Sequence, residues 1–239
     1  MEENEEAFNN ELLARPAGQL LNDFGAGHAS PGSGSAAALL ALLAAKMITT
    51  VCEISARKPE CQKYLRDFGQ IVAIIKDEIE PKLRHLFEQD AKDFDKVVGL
   101  RIARDEATDQ AQKTKLAKES LDLLEVATNY TFEVGDLSVR LMTQGIAMFE
   151  NGWHAVRGDS GVAISAAMSA VMSSIFIIKL NLKTLKRRNY ARSSLERSEE
   201  LRMRLAELQT QAFKCVAAIS TESIESIQLE LAVEVPDQS

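Results

Sequence analysis

Pro31-Gly32-Ser33-Gly34-Ser35-Ala36-Ala37-Ala38-Leu39-Leu40-Ala41-Leu42-Leu43-Ala44-Ala45 reads as a tight loop feeding directly into an alanine-rich helix. Glycine, serine and proline at this density mark a turn. Ser35 is expected either to cap the helix or to lie in its first turn, and the helix to run to about Ala56. From Ala36 to Ala45 nothing prefers water, so this end should be buried on every side. A second stretch, Gly161 to Ile178, has the same character and no charge. Its length is at the lower limit for a membrane span. Ser165, Ser169, Ser173 and Ser174 punctuate it, however, and the chain's mean hydropathy is −0.12. Small residues at such spacing permit close helix contact. The reading is a buried central helix, without membrane association.

Two such helices set the fold class, and the composition agrees. Of 239 residues 46% are hydrophobic but only 5% aromatic, so Ala, Leu, Ile, Val and Met must fill the core. Five prolines and twelve glycines suit long helices better than many short strands. The expectation is an all-α single helical bundle, one domain over 1–239, with loose tails at 1–10 and 231–239. A net charge of −7 argues against a fold-wide basic face for nucleic acid. Cys52, Cys61 and Cys215 are odd in number and form no CxxC pair, which argues against a disulfide framework and a zinc site. The acidic start Met1-Glu2-Glu3-Asn4-Glu5-Glu6 is unlike a signal peptide, and a cytoplasmic location follows.

The remaining helices are read from apolar periodicity. A short one lies within Glu11–Phe24, with Pro16 able to sit in a first turn. Glu60 to Val98 is helical with a break at Pro81. Residues 99–110 are polar and read as a loop. Helices are expected over Ala111–Val134 and Leu137–Phe149, then from about Asp159 to Leu182, and from about Tyr190 to Leu229.

Several segments carry candidate chemistry. The loop Pro31, Gly32, Ser33, Gly34 and Ser35 precedes a helix, where backbone N–H groups bind anions and glycines admit a ligand closely. It lacks the lysine of a P-loop and follows no strand, and taken alone a tight helix entry with glycines for close packing is the better reading. Asp90 and Phe94 lie one turn apart on one helix face. Beside Ala91 and an apolar stripe, Asp90 could be partly buried and so suited to proton transfer; a solvated charge run is the competing reading. In Arg157-Gly158-Asp159-Ser160-Gly161, Asp159 is a good N-cap and could also present a carboxylate to a pocket. Lys179, Lys183, Lys186, Arg187, Arg188 and Arg192 form a basic run that complements a helix C-terminus or attracts a polyanionic tail. His28, His85 and His154 are dispersed, with no metal-ligand spacing.

Taken together these motifs resemble the cyclodeaminase/cyclohydrolase family, which includes the cyclodeaminase half of formiminotransferase-cyclodeaminase and bacterial methenyltetrahydrofolate cyclohydrolases. The family's Pro-Gly-Gly-Gly-Ser loop and alanine-rich helix correspond to Pro31-Gly32-Ser33-Gly34-Ser35-Ala36-Ala37-Ala38. Its Asp-Ala-x-Ala-Phe/Tyr corresponds to Asp90-Ala91-Lys92-Asp93-Phe94, and its Ser-Asp-x-x-Val-Ala to Gly158-Asp159-Ser160-Gly161-Val162-Ala163. The motifs occur in family order over about residues 10–215.

The resemblance implies a folate enzyme interconverting formyl- or formimino-tetrahydrofolate and 5,10-methenyl-tetrahydrofolate, working as a homodimer without metal or redox cofactor. It casts Asp90 and Asp159 as catalytic carboxylates. Pro31, Gly32, Ser33, Gly34, Ser35, Phe94 and Arg157 become substrate-binding residues. Ser33 replaces the family's middle glycine, a costly change if that position needs positive φ. Asp93, Trp153 and Gly158 also depart from the pattern, and a non-catalytic relative that binds folate or serves as a structural helical dimer is the alternative.

Overall fold

The alanine-rich stretch does form a long helix, and it starts earlier than expected. In the computed structural model, which describes residues 11–233, helix α2 spans Ser33–Ser55 with Gly32 at its N-cap. Ser35 therefore sits inside the first turn, its side chain turned inward and fully buried, and it caps nothing. A short helix α1, Ala17–Gly25, precedes the loop, with Pro16 at its N-cap. The expected tail at 1–10, like residues 234–239, lies outside the described residues.

Pro59–Tyr64 forms a 3₁₀ turn that leads into α3, Leu65–Ile74. The break anticipated at Pro81 is a π-helical turn over Ile75–Ile79, after which α4 runs Glu80–Glu106 with the proline in its first turn. The coil is continuous through this turn, so Pro81 withholds an N–H from a preceding carbonyl, and the wider π turn lies where that bond is missing. Two further expectations are corrected. Residues 99–106 are helical, and only a short link separates α4 from α5, Gln110–Asn151. Asp109 caps α5, its carboxylate accepting the Gln112 N–H at 2.8 Å. Helix α5 is also one rod and not two, because Gly135 serves packing instead of ending a helix. A Cβ there would come within 2.7 Å of Leu201 Cδ2 and 3.3 Å of Ser174 Cβ.

After Gly152 the chain turns through His154–Val156 into α6, Arg157–Thr184, and then α7, Asn189–Val233. Val156, not Asp159, occupies the N-cap of α6, and Asp159 lies in the first turn.

Cross-helix contacts fix the directions. Ser35 meets Phe87 and Asp90, and Lys46 pairs with Glu80, so α4 runs antiparallel to α2. Asp93 meets Tyr130 and Glu78 pairs with Arg140, so α5 reverses again. Helix α6 descends beside it, with Gly145 against Ile164. Helix α7 ascends, with Tyr190 bonded to Asn129 and Arg204 to Asp136. The bundle thus has two ends. One gathers the start of α2, the middle of α4 and the C-terminal part of α6. The other gathers the end of α2, the α5–α6 corner and the start of α6.

A continuous core joins Ala38, Ile48, Phe87, Leu141, Ala167 and Ile178, and all three cysteines are buried. Helices α2 and α6 are both long and apolar enough to cross a membrane by length and composition alone. Each nevertheless contributes fully buried alanines to this shared core. The expectation that α6 is buried all round is not met. Val162, Met172, Phe176 and Leu180 are exposed along one face.

Candidate functional site

The first end of the bundle carries the densest polar chemistry in the interior. Asp90, in the middle of α4, is only 8% exposed and points at the start of α2. There the Ser35 hydroxyl lies 3.1 Å from Asp90 Oδ2 and 3.2 Å from the Phe87 carbonyl oxygen. Burial pushes the Asp90 carboxyl above its ordinary value of 3.8; hydrogen bonds from the Ser35 hydroxyl and N–H oppose that, and the nearby Asp93 charge adds to it. Gly34 is what lets the carboxylate in. A Cβ at this position would overlap the Asp90 carboxyl group itself. Gly32 is constrained as well, since a Cβ would lie 2.8 Å from the Ala29 carbonyl oxygen.

The loop is anchored on the same helix. Ser30 Oγ donates to the Ala91 carbonyl at 2.7 Å, the Ser30–Pro31 peptide is cis, and Pro31 is buried. Ser33 opens α2 and is exposed, and among the described residues positive φ is confined to Gly27. The steric cost anticipated for Ser33 therefore does not arise, because the position is helical.

A cavity of about 20 Å³ lies against Asp90, bounded by Gly32, Ser33, Gly34, Phe94, Thr131 and Asn181 among others. That is room for about one water. Thr131 and Asn181 were not singled out from sequence. Thr131 follows the buried face of α5, its hydroxyl turned to the Ala127 carbonyl at 3.0 Å. Asn181 is the polar residue in Leu180-Asn181-Leu182, an asparagine between leucines late in an apolar helix, which is the signal that could have marked it.

Asp93 faces a second cluster one turn along α4. It is buried, accepts the Tyr130 hydroxyl at 3.2 Å and pairs with Lys96 at 2.9 Å. Burial raises the Tyr130 phenol, and the Asp93 charge raises it further.

Asp159 and Arg157 do not join this group within one chain. They stand in the first turn of α6, whereas Asn181 belongs to its last turn, about 33 Å away at the rise of a helix. Arg157 binds Glu222 through one guanidinium nitrogen, 2.8 Å from each carboxylate oxygen, and covers the Phe149 ring. It borders a wide apolar groove between α6 and α7 at the far end. The basic run lies at the Asp90 end. Lys179 pairs with Glu199, and Arg188 with Asp122 and Glu125.

Comparison with known proteins identifies the family and the fold. Residues 16–200 match the sequence profile of a family described as formiminotransferase-cyclodeaminase. A methenyltetrahydrofolate cyclohydrolase of Methylorubrum extorquens is 25% identical over 173 residues, covering 72% of this chain and 81% of that protein. The crystal structure of formiminotetrahydrofolate cyclodeaminase from Thermotoga maritima superposes with a TM-score of 0.74 at 16% identity. It covers 86% of this chain and 98% of that one, and it shares the fold.

Proposed function

Because the chain belongs to the formiminotransferase-cyclodeaminase family, we propose that it is a folate one-carbon enzyme, interconverting formyl- or formimino-tetrahydrofolate and the 5,10-methenyl form. The observation that carries this reading is the Asp90 carboxyl group, buried against a glycine that admits no side chain and held by Ser35. A carboxyl raised by burial shuttles a proton near neutral pH more readily than an ordinary one.

In the hydrolytic direction water oxygen bonds to the amidinium carbon of the methenyl substrate. Asp90 takes the proton that water loses. The tetrahedral carbon then opens by breaking its bond to N5, which is protonated as it leaves. In the deaminating direction N10 closes onto the formimino carbon, and ammonia departs after protonation. Gly32, Ser33 and Gly34 would line the pocket with Phe94, with Pro31 holding the loop. The same reading makes the protein a cytoplasmic homodimer with a folate as ligand and no resident cofactor.

A second reading, a non-catalytic relative that binds folate or is purely structural, draws support from the small cavity beside Asp90. Loss of near-ultraviolet absorbance from methenyl-tetrahydrofolate separates the two. Accelerated loss that falls by about a hundredfold or more in Asp90→Asn supports the enzyme. Binding without acceleration supports the second reading, and turnover unchanged in Asp90→Asn removes Asp90 from the mechanism.

A further inference from the structure

Asp93 follows Asp90 by three residues on α4, so their Cβ atoms stand about 5–6 Å apart. Both side chains are buried, and burying a carboxylate is costly unless partners hold it. The partners differ. Asp90 has the Ser35 hydroxyl, whereas Asp93 is gripped from two sides. The Tyr130 hydroxyl of α5 donates to Asp93 Oδ2 at 3.2 Å, and Lys96 Nζ donates to Oδ1 at 2.9 Å. The Lys96 side chain is 65% exposed, so water screens its charge and it cancels that of Asp93 only in part.

This clamp adjoins the Asp90 cavity without entering it. Thr131, next to Tyr130, and Phe94, next to Asp93, both border the cavity, but Asp93 does not. Any effect of Asp93 on a bound molecule must therefore pass through Asp90. It stands where the related motif has alanine, so the second carboxylate is a property of this chain.

The other elements packed around Asp90 bring little charge to it. Helix α2 turns Gly34 and Ser35 towards it, and α6 turns Ile177 and Asn181. On α5, Glu133 is engaged with Lys82 at 3.3 Å. On α4, Glu88 accepts the Leu13 N–H at 3.0 Å from another side of the helix. His28, Lys92 and Asp95 are exposed. Burial is the chief reason that the Asp90 carboxyl lies above its ordinary value, and Asp93 is the charge that adds to it.

We propose that Asp93, fixed by Tyr130 and Lys96, is a positioning residue that governs the proton chemistry of Asp90 through its charge. A fixed negative charge one turn away disfavours a second one, so Asp90, once ionised, is the stronger proton acceptor. The consequence for turnover rests on the folate reading above; the coupling of the two carboxylates does not.

Carbon-13 NMR of the full chain with labelled aspartate tests the coupling without any ligand, Asp90→Asn identifying the Asp90 signal. Asp93→Asn keeps the shape of the side chain and removes its charge. It should lower the titration midpoint of Asp90 by about one pH unit, the size expected for partly screened charges about 6 Å apart. Lys96→Met removes the opposing charge and should raise that midpoint by about half a pH unit. A structural role for Asp93 would not reverse sign on loss of an exposed lysine. Midpoints that stay fixed, or that move the same way in both variants, would overturn the proposal. If circular dichroism shows that Asp93→Asn does not fold, Lys96→Met decides alone, and an unmoved midpoint overturns it.

Turnover of methenyl-tetrahydrofolate tests the consequence. A base fails as pH falls through its own titration, so activity should persist to lower pH in Asp93→Asn and fail at higher pH in Lys96→Met. Acid limbs that do not follow the NMR midpoints would remove Asp93 from the mechanism. A wild-type protein inert towards this substrate would refute the folate reading, and the Asp90 signal would still decide the coupling.

Discussion

Asp90 and Gly34 behave as one unit, because the space a Cβ would fill is the space the carboxylate occupies. Gly34→Ala should therefore displace the carboxylate, destabilising the fold by about 1–3 kcal/mol as overpacking does. Turnover should fall by about a hundredfold from the misplaced group; urea unfolding beside the methenyl absorbance assay checks both. The raised Asp90 carboxyl makes a separate prediction. A folded-state value above the ordinary 3.8 means that the native protein favours the protonated form, so stability is lost as pH rises through the folded value. Asp90→Asn cannot ionise. Its urea midpoint should match wild type near pH 4 and exceed it at pH 7; a gap that narrows towards neutrality would contradict the buried carboxyl. Asp90, the glycines and Phe94 were legible in the sequence because they lie within motifs of a few residues. That Asp159 lies far from Asp90 within one chain was not legible, because a motif carries no distance and a helix of 28 residues separates its two ends widely. Ser33 was misjudged because the sequence did not reveal that the helix begins on it.

At the scale of elements, the apolar period located every long helix, yet it divided them wrongly. The polar run after Val98 looked like a loop but is the largely exposed end of α4. Gly135 looked like a boundary but is where Leu201 of α7 approaches α5. Glycine spacing records both helix ends and close packing, and only the neighbouring helix distinguishes them. Gly152 is a true end. A Cβ there would lie 2.5 Å from the Met148 carbonyl oxygen and 3.2 Å from Ser55 Oγ, which accepts the Trp153 N–H at 2.8 Å. Gly152→Ala should loosen this corner and destabilise the protein by about 1–3 kcal/mol. Chemical denaturation measures it, and an unchanged midpoint would show that the corner tolerates the methyl group.

Across the whole molecule, composition identified a helical bundle without revealing which surfaces it leaves uncovered. The all-round apolar character of α6 was read as complete burial, whereas one of its faces is exposed with Phe176 and Leu180. Hydropathy averages over a helix and cannot separate a face turned to the core from one left exposed. With one core linking all the long helices, circular dichroism and a local probe should report coincident unfolding transitions. The α5–α6 corner provides that probe. Trp153 is the only tryptophan in the chain, and the Lys58 ammonium sits 3.6 Å above its ring. Its emission colour and polarisation therefore act as a built-in lamp at the end remote from Asp90. A folate that absorbs at the other end can be titrated while this lamp reports, without any added dye, whether the far corner stays closed.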